Sequence, residues 1–167
     1  MKIYVAASFA YADRSKTEER KKQIQKVVNQ IKPLLPFLNV EWYLPQELEI
    51  PNAWDISLEE WSEKVYRFDV EQLTTSEIVL FISFGKENNA GAVWEMGYAI
   101  GYNHWVENLP LLLAPFSRKK IICIKMTDEA ESLMVSQSAD IIITKEEIET
   151  YDWVNMPYYK TRLDKLS

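Results

Sequence analysis

The stretch IVLFISFGKENNAGAVWEMGYAIGY, residues 78–102, decides the fold because it joins a buried strand to a glycine-bearing helix. Residues 78–82 form a short, continuous apolar run, which is typical of a strand buried on both faces of a parallel sheet. The later part of the stretch predicts a helix from about Gly91 to Tyr102. A strand followed by a helix is the repeating unit of an α/β fold.

The same alternation continues on both sides of this stretch. Apolar runs predict four more strands, at residues 2–7, 40–44, 120–124 and 139–143. Capping boxes at residues 15–18 and 57–60 predict the first turns of two further helices, and residues 144–147 predict the cap of a last short one. The helix after residue 57 carries an apolar stripe, formed by Leu58, Trp61, Val65, Phe68 and Leu73.

We therefore predict a fold of the α/β class, a flavodoxin-like three-layer sandwich with a five-stranded parallel sheet. Ligands bind to such sheets at the carboxyl ends of the strands, where the strand order switches. The expected organisation is a single domain over residues 1–167. Residues 104–118, which contain Pro110 and Pro115, are too long for a plain turn between a helix and a strand and predict an insertion.

The composition narrows the classes of function. The 167 residues carry a formal net charge of −6, which argues against binding to a nucleic-acid polymer or to an anionic membrane surface. The longest apolar runs are too short to cross a bilayer. One cysteine, Cys123, and one histidine, His104, exclude an internal disulfide and argue against a thiolate or multi-histidine metal site. We expect a cytoplasmic globular protein without a bound metal ion.

Two carboxylates break the local pattern. Asp69 lies four residues after Val65 and four before Leu73, on the apolar stripe of its predicted helix. Glu95 is the only charged residue of the predicted glycine-bearing helix and lies in its first two turns, where the helix dipole stabilises an anion. Burying an unpaired carboxylate is costly, so each predicts a defined partner or a chemical role. The alternatives are an edge position for Asp69 and simple exposure of Glu95.

Two glycines mark the same predicted helix. Gly97 and Gly101 each cost about 1 kcal/mol relative to alanine inside a helix. Their spacing of four residues places both on one flat face, which allows close approach to the sheet or to another helix. The glycines do not form a phosphate-binding loop, because neither Gly-x-x-x-x-Gly-Lys nor Gly-x-Gly-x-x-Gly is present.

Tyr4, Asp69 and the run GAVWEMGYA at residues 91–99 together resemble the nucleoside 2-deoxyribosyltransferase family. The run Ser132-Leu133-Met134 extends the resemblance downstream, and order and spacing agree from residue 2 to about residue 143. The resemblance implies transfer of 2-deoxyribose from a 2′-deoxynucleoside to a free nucleobase by a retaining double displacement. No metal or organic cofactor is implied.

The resemblance also assigns roles to single residues. Glu95 would be the nucleophile that attacks C1′ and forms a covalent deoxyribosyl-enzyme. Tyr4 would orient the Glu95 carboxylate through a hydrogen bond of roughly 2.6–3.2 Å. Asp69 would contact the sugar hydroxyls or pass a proton to the departing base.

The implied substrate contacts come from several loops. An aromatic ring at Phe9 would stack on the base, and Ser132 and Met134 would reach into the pocket of a neighbouring subunit. The resemblance therefore implies an obligate homo-oligomer with shared active sites. The implied substrate-binding residues are Phe9, Gln46, Asn89, Gly91, Ser132 and Met134.

Departures from the family pattern leave other functions open. Asn89 stands where the transferases commonly carry an aspartate that contacts the base, so the proton role would shift to Asp69 or to water. Ser132 stands where they commonly carry asparagine, and serine there resembles the related 2′-deoxynucleoside 5′-monophosphate N-glycosidases. Those hydrolases tend to carry an arginine where this chain has Ala10. The alternatives are such a hydrolase and, third, a non-catalytic flavodoxin-like nucleotide-binding module.

Overall fold

A computed structural model describes residues 1–35, 39–109 and 117–156 of the chain. Strands and helices alternate along it, as the apolar runs predict. The elements are β1 (Lys2–Ala7), α1 (Arg14–Ile31), β2 (Glu41–Tyr43), α2 (Leu58–Thr75), β3 (Ile78–Ser83), α3 (Ala90–Glu107), β4 (Lys120–Lys125), α4 (Leu133–Ser138) and β5 (Ile141–Thr144).

The five strands form one parallel sheet in the order β2-β1-β3-β4-β5. The predicted α/β class and five-stranded parallel sheet are therefore confirmed. The strand order switches at β1, which pairs with β2 on one side and with β3 on the other. The carboxyl ends of β1 and β3 consequently flank the place where sheets of this kind bind ligands.

Two apolar clusters cover the two faces of the sheet. Alternate residues of β1 enter different clusters, since successive side chains of a strand point to opposite faces. Val5 packs with α1 and with the segment after β5, whereas Tyr4 packs with α2, α3 and α4. Full burial of an aliphatic side chain such as Ile24 or Ile122 stabilises the fold by about 1.5–3 kcal/mol.

The helix boundaries confirm one predicted cap and correct another. Ser57 caps α2, because its Oγ accepts a hydrogen bond of 3.1 Å from the Glu60 amide. The first helix is capped by Asp13 instead of by the predicted box at residues 15–18. The Asp13 carboxylate accepts bonds from the amides of Ser15 at 2.8 Å and Lys16 at 3.4 Å, so α1 begins at Arg14.

The regions after α3 and β5 also differ from the prediction. Helix α3 continues to Glu107, beyond the predicted end near Tyr102, so residues 104–107 of the predicted insertion are helical. Residues 110–116 of that insertion lie outside the described residues. After β5 the chain forms turns in place of the predicted short helix, and the Glu147 carboxylate accepts a 2.7 Å bond from the Thr144 amide.

The apolar stripe of α2 is mostly exposed in the protomer, contrary to the usual orientation of such a stripe toward a core. Leu73 is buried, but Leu58 is 79% exposed, and Trp61 and Phe68 are also exposed. Within α2, Asp69 bonds to Tyr43, the last residue of β2, and Leu73 is the residue of the stripe that is buried. No described helix is long and apolar enough to span a membrane.

Candidate active site

Two tyrosines from neighbouring strands form the floor of the site. Tyr4 of β1 lies opposite Tyr43 of β2 in the sheet register, and their ring centroids are 5.2 Å apart. Tyr4 is fully buried, and Tyr43 packs against the same apolar cluster beneath α2 and α3. Burial and nearby carboxylates raise the pKa of both hydroxyls well above the usual range, so both remain neutral hydrogen-bond donors.

Asp69 joins these tyrosines from α2. The Tyr43 hydroxyl donates a hydrogen bond of 2.7 Å to Asp69 Oδ1. Burial raises the pKa of Asp69, and the bond from Tyr43 partly opposes that shift because it stabilises the anion. Asp69 therefore has a defined partner, as its position on the apolar stripe predicted.

Glu95 approaches the same place from the second turn of α3. The helix begins at Ala90, and Asn89 caps it by accepting a 3.0 Å bond from the Ala92 amide. Burial raises the pKa of Glu95 to about 8, the Tyr4 hydroxyl lowers it, and the charge of Asp69 raises it further. Glu95 Oε2 is buried and makes no hydrogen bond to the described part of the chain.

Tyr4, Asp69 and Glu95 thus lie close enough to perturb one another's ionisation. The Tyr4 hydroxyl lies near enough to the Glu95 carboxylate to lower its pKa, but within the described residues the two groups do not reach the geometry of an ordinary hydrogen bond. Buried polar atoms are normally hydrogen-bonded, so the unbonded Glu95 Oε2 atom indicates a place for a polar group of a ligand. Tyr4 and Tyr43 approach the two carboxylates from the sheet, whereas the carboxylates themselves come from helices.

Two carboxylates in one buried site cannot both ionise freely, because each charge raises the pKa of the other. The pair can therefore hold one proton at neutral pH and move it during a reaction. One ionised oxygen can attack an electrophilic carbon while the protonated group gives its proton to the leaving group. The described residues contain no group of three or more His, Cys, Asp or Glu side chains placed to hold a metal ion.

The loop between β3 and α3 is fixed by polar side chains that the sequence did not single out. Asn88 Nδ2 donates a 2.8 Å bond to Ser83 Oγ, and Asn88 Oδ1 accepts one of 2.8 Å from the Phe84 amide. The buried Ser8 hydroxyl accepts a 2.6 Å bond from the Asn89 amide. These bonds tie the start of α3, and so the depth of Glu95, to the ends of β1 and β3. Small polar residues at strand ends are the one signal that could have revealed them.

The predicted substrate-binding residues are spread around this edge of the sheet. Phe9 packs against the apolar cluster on the α1 side. Gln46 lies in a 3₁₀ turn directly after Leu44, with its Oε1 atom buried and unbonded within the described residues. Gly91 has room for a side chain, because an added Cβ would meet only Asn89 Oδ1 at 3.5 Å.

Ser132 and Met134 lie at the start of α4, where Ser132 is the N-cap and Met134 the second helical residue. The Ser132 hydroxyl caps this helix by accepting a 3.2 Å bond from the Val135 amide, a structural role that the resemblance did not imply. Glu131, immediately before it, accepts a 2.6 Å bond from Ser83 Oγ and so ties this segment to β3. Met134 is 77% exposed, so within its own protomer it does not enclose the site.

A cavity of about 670 Å³ lies on the other side of the sheet. It opens between α1 and the loops that follow β3, β4 and β5, and its lining includes Arg20, Lys26, Phe84, Thr127 and Lys145. Phe84 belongs to the apolar cluster of the α1 face, whereas Tyr4 belongs to the opposite one. The cavity therefore lies on the α1 side of the sheet, whereas Tyr4 lies on the side of α2 and α3.

Sequence comparison identifies a family and a protein to which this chain is similar. Residues 3–141 match the family described as nucleoside 2-deoxyribosyltransferase. A nucleoside deoxyribosyltransferase of Lactobacillus johnsonii is 30% identical over 100 residues, which are 60% of this chain. The chain spans 58% of the length of this curated relative.

Solved structures share the architecture. A 2-deoxyribosyltransferase from Bacillus psychrosaccharolyticus is 23% identical, with a TM-score of 0.68 over 96% of this chain and 99% of that one. A CMP N-glycosidase of Clostridium botulinum is 12% identical, with a TM-score of 0.53 over 90% and 96%. A conserved protein from Enterococcus faecalis V583 is 16% identical, with a TM-score of 0.58 over 89% and 97%. At these identities the likenesses establish the fold alone.

Proposed function

The chain belongs to the nucleoside 2-deoxyribosyltransferase family, and on that premise we propose that it transfers 2-deoxyribose between nucleobases. One observation carries the proposal: Glu95 and Asp69 are half-buried in one site, where the pKa of each is raised and the charge of Asp69 acts on Glu95. A retaining glycosyl transfer needs a nucleophilic carboxylate and a proton donor close together. The expected substrates are 2′-deoxynucleosides and free nucleobases, in a cytoplasmic reaction.

The reaction proceeds in two displacements. In the first, an ionised Glu95 oxygen attacks C1′ of the deoxynucleoside, and the C1′–N bond breaks with its electron pair leaving on the base. Because burial raises the pKa of Glu95 to about 8, Glu95 first gives its proton to Asp69, and Asp69 passes that proton to the departing base. The product of this step is a deoxyribosyl ester on Glu95 and a free base.

In the second displacement a nitrogen of the acceptor base attacks C1′ from the opposite face. The ester C1′–O bond breaks and its electrons return to the Glu95 carboxylate, while Asp69 takes the proton of the acceptor nitrogen. Tyr4 would donate a hydrogen bond to the Glu95 oxygen that is not forming the ester. Asn89 can donate and accept hydrogen bonds with the base, but its amide cannot replace Asp69 in proton transfer.

We also propose that a second copy of the chain completes the site through Ser132 and Met134. An exposed aromatic face supports this assembly, because large apolar patches at a surface usually mark interfaces. It includes Trp61 and Phe68 of α2 and Trp94 and Trp105 of α3. Gly97 and Gly101 belong to α3, and apart from the adjoining backbone of that helix an added Cβ at either would meet no described atom within 4 Å.

Replacing Gly101 with tryptophan should therefore disrupt assembly without disturbing the protomer. We expect the wild type to sediment as a dimer or larger species, and Gly101→Trp as a protomer of 19.6 kDa with reduced transfer activity. Val154→Trp, at an exposed position after β5, is the matched control and should leave both properties unchanged. A wild-type protomer that is monomeric and fully active would refute the shared site.

The second candidate is a 2′-deoxynucleoside 5′-monophosphate N-glycosidase, which Ser132 favours. The two functions differ in the fate of the sugar, because a hydrolase gives it to water. We expect incubation with thymidine and adenine to yield deoxyadenosine, and chromatography of the nucleosides measures it directly. Release of the base from deoxycytidine 5′-monophosphate without any transfer would favour the hydrolase. No turnover of either substrate would favour the binding module.

A further inference from the structure

Tyr43 is the one group of the buried site to which neither the sequence nor the proposed reaction gives a part. It is the last residue of β2, where its backbone pairs with Tyr4. Its ring lies 5.2 Å from the Tyr4 ring and packs against the cluster beneath α2 and α3. The Tyr43 hydroxyl is therefore held by both the sheet and the apolar core, and it meets Asp69 Oδ1 at 2.7 Å.

We propose that Tyr43 is a positioning residue, which fixes the Asp69 carboxylate through Oδ1 and leaves Oδ2 to act on the substrate. An aspartate on a helix surface can rotate about two side-chain bonds, and a single short bond to a fixed hydroxyl removes that freedom. Within the described residues, the Asp69 side chain makes this one hydrogen bond. The part played by Oδ2 in catalysis rests on the proposed function.

The bond has a fixed direction. The Tyr43 hydroxyl keeps its proton because burial and the neighbouring carboxylate raise its pKa, so it donates and Asp69 accepts. Three groups face Asp69: Tyr43 from β2, Tyr4 from β1 and Glu95 from α3. Of these, Tyr43 lowers the pKa of Asp69 through its bond, whereas burial raises that pKa.

The first test measures the carboxylate itself and needs no substrate. In protein labelled with ¹³C at the aspartate carboxyl carbon, the Asp69 signal is the one lost in Asp69→Asn. We expect Tyr43→Phe to raise the pH at which this signal titrates by about one pH unit. Tyr151→Phe is the control, because the Tyr151 hydroxyl is buried on the opposite face and has no hydrogen-bond partner among the described residues. An unchanged Asp69 titration in Tyr43→Phe would overturn the proposal.

The second test separates positioning from a merely structural role. Tyr43→Phe should lower kcat for transfer roughly tenfold with little change in KM, and should have no further effect in the Asp69→Asn background. Additive losses in the double variant would mean that Tyr43 acts independently of Asp69 and would overturn the proposal. If the wild type transfers no deoxyribose, the proposed function fails while the carboxylate titration still tests the Tyr43–Asp69 bond.

A reciprocal measurement covers the case in which Tyr43→Phe does not fold. In Asp69→Asn, with tyrosine labelled at the ring carbon that carries the hydroxyl, the Tyr43 signal at neutral pH should shift from its wild-type position, because the hydroxyl no longer donates to a carboxylate. An unchanged Tyr43 signal would contradict the bond as surely as the first test.

Discussion

Replacing Glu95 with alanine should reduce deoxyribosyl transfer by roughly 10⁴-fold or more, because the reaction loses its nucleophile and with it the covalent intermediate. The fold should survive, since Glu95 is not a member of either apolar cluster of the sheet. Steady-state kinetics with thymidine and adenine measures the loss, and circular dichroism checks the fold.

The matched control for this variant is Glu18→Ala. Glu18 lies on α1, against the opposite face of the sheet, and its ion pair with Lys21 is exposed and 3.9 Å long. Exposed pairs of this kind contribute little to stability, so Glu18→Ala should keep wild-type turnover. Near-normal transfer by Glu95→Ala would show that another group is the nucleophile.

Replacing Glu95 with glutamine should stabilise the protein at alkaline pH. The pKa of Glu95 is about 8 in the folded chain, against an ordinary value of 4.5, so the folded state holds its proton more tightly than the unfolded state. The stabilisation that this tightly held proton gives to the folded state is fully present below about pH 4.5, and it is lost as the pH rises through 8. Glutamine cannot ionise, so the variant avoids that loss. At pH 9 we expect it to be more stable than the wild type by roughly 2–4 kcal/mol.

Urea unfolding at pH 5 and pH 9, at one fixed protein concentration, measures this difference. The advantage of Glu95→Gln should be small at pH 5 and large at pH 9. Glu18→Gln, at an exposed position, should show the same stability as the wild type at both pH values. A Glu95→Gln advantage that does not change with pH would contradict the burial of an ionisable Glu95.

Much of the fold could be predicted because its three inner strands, β1, β3 and β4, are buried on both faces. Largely apolar runs such as residues 78–82 and 120–124 predict the strand positions, and the Ser57 side chain caps α2 as its sequence pattern predicted. The start of α1 could not be fixed in the same way. Asp13 and Ser15 are both good capping residues, and only the backbone geometry selects Asp13.

The exposure of one face of α2 could not be predicted from the sequence. Trp61 and Phe68 have the spacing of residues that face a core, and spacing alone does not say whether the chain itself or another molecule covers them. The structure shows that the described residues leave them exposed. The Gly101→Trp variant tests whether a second copy of the chain covers these side chains in the assembly.

The site was predictable to the extent that its residues violate a local rule. Asp69 on an apolar stripe and Glu95 alone in an apolar helix stand out, and both lie in the buried site. Tyr43 did not stand out, because an aromatic residue in a strand is ordinary there. Its role depends on a contact with a residue 26 positions away, which no local pattern records.

Mass spectrometry of the quenched protein tests the proposed nucleophile most directly. The wild type is mixed with a 2′-deoxynucleoside in the absence of an acceptor base, quenched in acid and digested with a protease. We predict a mass increase of one deoxyribosyl unit on the peptide that contains Glu95, and its absence in Glu95→Gln. An active wild type with no adduct on that peptide, or with the adduct on another residue, would contradict the double displacement through Glu95.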